Sequence, residues 1–220
     1  MKQILAIALA IGFSTGAARA AVFDFEAFAT NTAINSITGG GLTATVVTDS
    51  NRAVANGGTN QAVVFDTLNP TGNDNDLASP FAPAPGFSGP LNASKILIIA
   101  GPQNGNLSLP DDDAQGGTIT FTFDRKVNVL GFDYLDTEGN GNELFVSTDL
   151  GFLSTALVAG DGQYGSFSTP LLGIQSLTFA FGGSGGLDNL NVQAVPLPAA
   201  GLLLLSSLGA LGLFRRRARA

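Results

Sequence analysis

The chain has 220 residues, with 17 acidic and 10 basic side chains, 16 Phe, 2 Tyr and no Cys, His or Trp. Without Cys there is no disulfide, thiolate nucleophile, Cys-ligated zinc or iron–sulfur cluster; without His there is no Ser-His-Asp catalysis and no His-held metal. Any metal must then be a hard ion held by oxygen, which means calcium or magnesium.

Residues 1–20 read as a secretory signal. Lys2 forms a short positive start, Ile4 to Phe13 an apolar run, and Ala18-Arg19-Ala20 a small-residue cleavage site that leaves Ala21 first. Signal peptidase is the implied processing partner. Residues 21–194 form the body. It holds all 17 acidic residues but only Arg52, Lys95, Arg125 and Lys126 as cations, a net charge of −13. The remaining basic residues lie in the two ends, so the whole-chain value of −7 hides a strongly acidic body. Such a body repels nucleic acid, because phosphate binding needs clustered Lys and Arg.

The body lacks long stretches of helical apolar periodicity. Short alternating or β-branched runs are instead broken by Gly, Asn, Asp and Pro. Val22 to Phe28 predicts a first strand with Phe23, Phe25 and Ala27 on one face. Leu42 to Thr48 predicts the next. Ala62 to Phe65 and Ile96 to Ala100 are continuous apolar runs, as for central strands buried on both sides. Thr118 to Phe123 is the clearest alternation. Val127 to Leu135, Glu143 to Thr148, Ala156 to Ala159, Ser176 to Phe181 and Leu187 to Val192 complete the set. Strands at this spacing predict an all-β, jelly-roll-like β-sandwich. The Phe excess fits a core filled without polar partners. Residues 69–92 are too long and too rich in Pro, Gly and Asn for a hairpin loop; their acids favour partial order.

Acid clusters are the only chemistry on offer. The first holds Asp66, Asp74 and Asp76 within Phe65 to Leu77. The second is Pro110-Asp111-Asp112-Asp113, directly before the alternating strand. Adjacent like charges cost energy, and calcium offers a reason, since it takes 6–8 oxygen ligands. Asp74-Asn75-Asp76 has the alternating spacing of a calcium loop, but Ser79 and Pro85 stand where an EF-hand needs Gly and Glu. Solvated turns rich in Asp and Asn are the alternative. Gly182-Gly183-Ser184-Gly185-Gly186 lacks the Lys-Ser/Thr of a phosphate loop and reads as a turn.

A third constellation joins the ends of the body: Phe25-Glu26 early, and Gly186-Leu187-Asp188-Asn189-Leu190 late. The combination resembles galactose-binding-like and carbohydrate-binding jelly rolls. The resemblance implies a structural calcium at Glu26 and Asp188, where the first and last strands lie side by side. Glycoside hydrolysis needs only two carboxylates, and Glu26, Glu138 and Glu143 are available. The missing Trp and the two Tyr argue against an aromatic-walled sugar cleft.

Residues 195–220 form the tail. Val195-Pro196-Leu197-Pro198-Ala199 is followed by an apolar run to Phe214 and then Arg215, Arg216 and Arg217. From Val195 the run is long enough for a single transmembrane helix. The Arg cluster sets its cytoplasmic side. This three-part order resembles the PEP-CTERM sorting tail in its VPLPA variant, although a plain anchor would share the helix and the arginines. The resemblance implies processing by an exosortase-type membrane protease, and an inner-membrane precursor that ends at the cell surface or outside it. The expected function is a non-catalytic surface or matrix protein associated with extracellular polysaccharide. A calcium-dependent carbohydrate-binding or adhesion module is the alternative, and a carboxylate glycosidase the third.

Overall fold

The computed structural model describes residues 20–52, 59–71, 74–101 and 110–196. Nearly all of the signal segment, and the tail from Leu197 onward, lie outside the described residues. No helix among the described residues is long and apolar enough to cross a membrane.

The body falls within one compact unit, Arg19–Val195, and its described elements are all β. The strands are β1 (Ala20–Phe23), β2 (Ser36–Gly39), β3 (Leu42–Ser50), β4 (Ala62–Asp66), β5 (Ala82–Pro83), β6 (Lys95–Ile99), β7 (Gly117–Leu135), β8 (Leu144–Thr148), β9 (Gln163–Phe167), β10 (Leu171–Phe181) and β11 (Gly186–Ala194). They belong to one connected sheet that follows β2-β3-β7-β11-β6-β4. β1 is added beside β11, while β8, β9 and β10 join around β7. Every strand pair is antiparallel except β5 with β9.

β7 is the spine. The two strands predicted at Thr118 to Phe123 and Val127 to Leu135 are one strand of 19 residues. Asp124, Arg125 and Lys126 looked like a break, but they are exposed and stay extended. Their charges are solvated and Arg125 pairs with Asp124 at 2.9 Å, so nothing forces a turn. Ile119, Phe121, Phe123, Val127 and Val129 are buried in one phase, and Phe132 and Tyr134 in the other. The phase change falls where the β7–β11 register shifts near Gly131. This bulge keeps both sets in the same core.

Three predicted strands need correction. The first ends at Phe23, not Phe28: Phe25 adopts φ 58° and the Phe28 amide donates to the Phe25 carbonyl at 3.1 Å, closing a turn. Phe25 is still buried, but Ala27 is exposed. Ala156 to Ala159 makes only an isolated bridge, Leu157 to Leu144. β4 is buried on both faces as expected but is not central in the sheet path. Its outer edge is covered instead by Asn31 to Ile34: the Asn31 amide donates to the Val64 carbonyl at 2.8 Å, and the Ile34 amide to the Ala62 carbonyl at 2.9 Å. β2, β5 and β9 are short and carry no clear alternation, and the sequence did not announce them.

Two cores form on opposite faces of β4 and β6. Val64 and Leu97 enter the larger. Val63, Phe65, Ile96 and Ile98 enter the smaller, with Leu77, Phe81, Leu135 and Tyr164. The 69–92 stretch therefore supplies part of a core. Phe carries much of the larger core: Phe179 meets Phe121 edge-on at 5.9 Å and Phe132 at 4.9 Å. The Gly182–Gly186 stretch links β10 to β11 as expected, and a Cβ at Gly182 would collide with the Gly141 carbonyl oxygen.

Phe179→Ala should lower unfolding stability by about 3–5 kcal/mol, the usual loss for an emptied aromatic core position. Chemical denaturation measures it; a loss under about 1 kcal/mol would show that this ring trio is not central to the core.

Candidate functional site: an acid centre at one end of the sheet

The C-terminal ends of β6 and β7 lie beside the N-terminal end of β11, because Gly186 pairs with both Ile98 and Leu135. The acid clusters meet here. Asp74, Asp111 and Asp112 bring carboxylate oxygens within 4.8 Å of one another. So do Asp76, Asp136 and Asp161. The two sets adjoin: Asp74 and Asp76 share a side-chain hydrogen bond, and Asp112 feels the charges of Asp136 and Asp76.

Backbone geometry fixes each member. After β6 the chain meets the acid segment: Asp112 bridges to Ala100, and the Gly101 amide donates to the Asp111 carbonyl at 2.7 Å. Gly101 allows that approach, since a Cβ there would collide with the Asp112 carbonyl. The Asp112 carboxylate accepts from the Gly185 amide at 2.5 Å, and the Asp112 amide donates to Asp74 Oδ2 at 3.4 Å. Asp113, the third consecutive acid, is buried elsewhere: it takes Ser50 Oγ at 2.6 Å and the Arg52 guanidinium at 3.1 Å.

Asp136 follows the last residue of β7 with φ 57°, a left-handed conformation that Asp tolerates better than most residues. Its Oδ1 accepts from the Gly162 amide at 2.8 Å. Asp136 is only 1 % exposed, and its Oδ2 has no hydrogen-bond partner. Gly160 and Gly162, at φ 97° and 61°, turn the chain so that Asp161 sits beside it.

The charge balance is one-sided. The four cations of the body are engaged elsewhere: Arg52 with Asp113, Lys95 with the Glu26 and Phe28 carbonyls, Arg125 with Asp124, and Lys126 acting on Asp149. Burial, and then neighbouring acids, hold Asp74 well above the usual carboxylate range. Burial likewise raises Asp112, helped by Asp136, Asp111 and Asp76 and opposed by the Gly185 amide. Burial, then Asp76, Glu138 and Asp161, push Asp136 up to about 7 against the Gly162 amide.

The other expected ligands lie apart from this centre. Asp66 closes its own turn, accepting from the Leu68 and Asn69 amides at 3.0 and 3.2 Å. The first and last strands do pair, with Ala20 opposite Gln193 and Phe23 opposite Leu190. Glu26 accepts from the Lys95 and Ser94 amides at 3.0 and 3.3 Å, and from Ser94 Oγ, so it fixes the start of β6. Asp188 is buried opposite Asp133, an acid the sequence did not single out. Asn189 joins the two, donating to Asp133 Oδ2 at 2.7 Å and Asp188 Oδ2 at 3.2 Å. Burial, then Asp133, Glu26 and Asp24, push Asp188 up to about 8 against the Asn189 amide. Glu138 and Glu143 serve their own turn through Asn142 and the Gly141 amide. Val195 extends the β11 pairing, its amide donating to the Lys126 carbonyl at 3.0 Å. Leu197, Pro198, Ala199, Ala18 and the tail arginines lie outside the described residues.

Asp136 and Asp161 were missed in the sequence. Their local signals are an acid at the end of an apolar strand, and the Gly160-Asp161-Gly162 turn. A shallow depression is lined by Phe152, Leu153, Ser154, Thr155, Phe167 and Thr169. No protein-family model matches this chain, and no curated protein matches it.

Raised carboxylate pKa values make folding take up protons. Their contribution is complete below the ordinary value of 3.8 and is lost as pH rises through about 7 for Asp136 and about 8 for Asp188. Asp124 and Asp149, whose values are lowered, act only in the acid range below that. In EDTA, the melting temperature of the full-length protein should fall between pH 5 and pH 8.5. A flat or rising profile would contradict this assignment of the buried acids.

Proposed function

We propose that the protein is an exported, non-catalytic surface or matrix protein whose body is a jelly-roll-like β-sandwich supported by calcium. The acid centre carries this reading. Buried carboxylates with their cations engaged elsewhere suit a compartment rich in calcium, and extracellular modules bind it with dissociation constants near 10⁻⁴–10⁻³ M. Asp74, Asp111 and Asp112 are the first ligand set, and calcium would take the place of the proton that Asp74 and Asp76 otherwise share. The ends of the chain support the same reading. The Ala18-Arg19-Ala20 site suits signal peptidase. The Val195 to Ala199 motif, apolar run and arginines suit a PEP-CTERM-type tail that an exosortase-type protease processes at the inner membrane. Extracellular polysaccharide is the proposed surrounding of the finished protein.

A calcium-dependent carbohydrate-binding or adhesion module is the second reading. The depression at Phe152 and Phe167 favours it, since an apolar ring gives a sugar face something to rest on.

Two measurements test these readings. Pro196→Ala combined with Pro198→Ala should leave the unprocessed precursor in the inner-membrane fraction, read by immunoblot of fractionated cells. Processing at the wild-type level would leave only a plain anchor. A glycan array with and without EDTA separates the two readings: no selective binding supports the matrix protein, and calcium-dependent binding to one sugar class replaces it with the module.

A further inference from the structure

We infer that Asp76, Asp136 and Asp161 form a second divalent-cation site beside the first, so that the acid centre holds two ions. Nothing in the sequence marked this set as one site, because its members come from three distant segments: the loop after β4, the end of β7 and the turn before β9. The structure brings their carboxylate oxygens within 4.8 Å of one another.

The observation that makes this more than a group of acids is Asp136. Its side chain is almost fully buried and keeps one oxygen without a hydrogen-bond partner, while the other is fixed by the Gly162 amide. A buried polar atom left without a partner is destabilising, and more so when charged. A cation between Asp136 and the exposed carboxylates of Asp76 and Asp161 removes that cost and their mutual repulsion together. The loop after β4 packs on the turn that carries Asp161: the Asp76 carbonyl lies against Gly162, 3.5 Å from where a Cβ would stand. Three carboxylates, completed by water from the exposed side, would make the all-oxygen shell that calcium takes. The loop is also built to stay in place. Thr137 is buried; its carbonyl accepts the Ala159 and Gly160 amides at 2.8 and 3.2 Å, and the Asp136 amide donates to the Gln163 carbonyl at 2.9 Å. The bound ion would clamp the loop after β4 to the β7 and β9 ends.

This inference borrows only the choice of ion from the calcium reading of Asp74, Asp111 and Asp112, and the two fail separately. The test is equilibrium dialysis of the full-length protein in mild detergent against radioactive calcium. The expected ratio is two ions per chain, falling to one in Asp161→Asn and to one in Asp74→Asn. Asp161 is exposed, so its substitution should leave the fold intact, and circular dichroism checks this. One ion lost only in Asp161→Asn upholds this site and removes the first. One ion lost only in Asp74→Asn overturns this site. A wild-type ratio of one ion, falling to none in both variants, means a single shared ion and overturns the two-site inference, as does no binding at millimolar calcium.

Discussion

Like charges gathered in a partly buried space are the constraint on which this body turns. Two unit charges about 4 Å apart interact by about 4 kcal/mol at an effective dielectric of ~20. A domain's net stability is about 5–15 kcal/mol. One unrelieved repulsion of this kind within the buried part of the centre is therefore a sizeable fraction of the whole. Hydrogen bonds from the Gly162 and Gly185 amides offset part of this. The rest needs protons or bound cations, and the body's own basic side chains are committed elsewhere. The contrast lies within one tripeptide: Asp113 has Arg52 at 3.1 Å, while Asp112 has one backbone amide and further acids around it.

The sheet explains why the acids meet at all. β6 and β7 end, and β11 begins, at the same level. Loops leaving those strands are forced together there. The smaller core seals the neighbouring face: Leu77 and Phe81 from the long loop pack with Phe65 and Ile98, and so bring Asp74 and Asp76 toward the β7 end. Packing and charge thus oppose each other locally. Apolar burial draws the loop in, and the carboxylates it carries resist. Asp74, 7 % exposed beside the fully buried Leu77, sits at that junction.

What the sequence made legible follows from which interactions are local. Alternation is local, so Thr118 to Phe123 and the double-sided burial of Ala62 to Phe65 could be read directly. The extent of β7 could not, because Asp124 to Lys126 looks like a turn unless one knows that β10 runs alongside from Gly117 to Val129. Phe25 ended β1 through a backbone angle, not a residue preference. The acid sites divide in the same way. Asp74, Asp111 and Asp112 stood out because their own runs are rich in acids. Asp136 and Asp161 are single acids in unremarkable turns, and only tertiary structure joins them. Asp133 escaped notice because it is one polar position in an apolar strand, and Asp188 lies opposite it. Glu26 lies just beyond β1 and Asp188 within β11, which pair, but Glu26 spends its oxygens on the start of β6.

The central claim is that cations hold this acid centre. Anomalous diffraction from crystals of the full-length protein grown with terbium, a calcium substitute visible by its own scattering, tests it most directly. The account predicts one anomalous peak among Asp74, Asp111 and Asp112 and another among Asp76, Asp136 and Asp161. Well-ordered carboxylates with no peak at either position would contradict it.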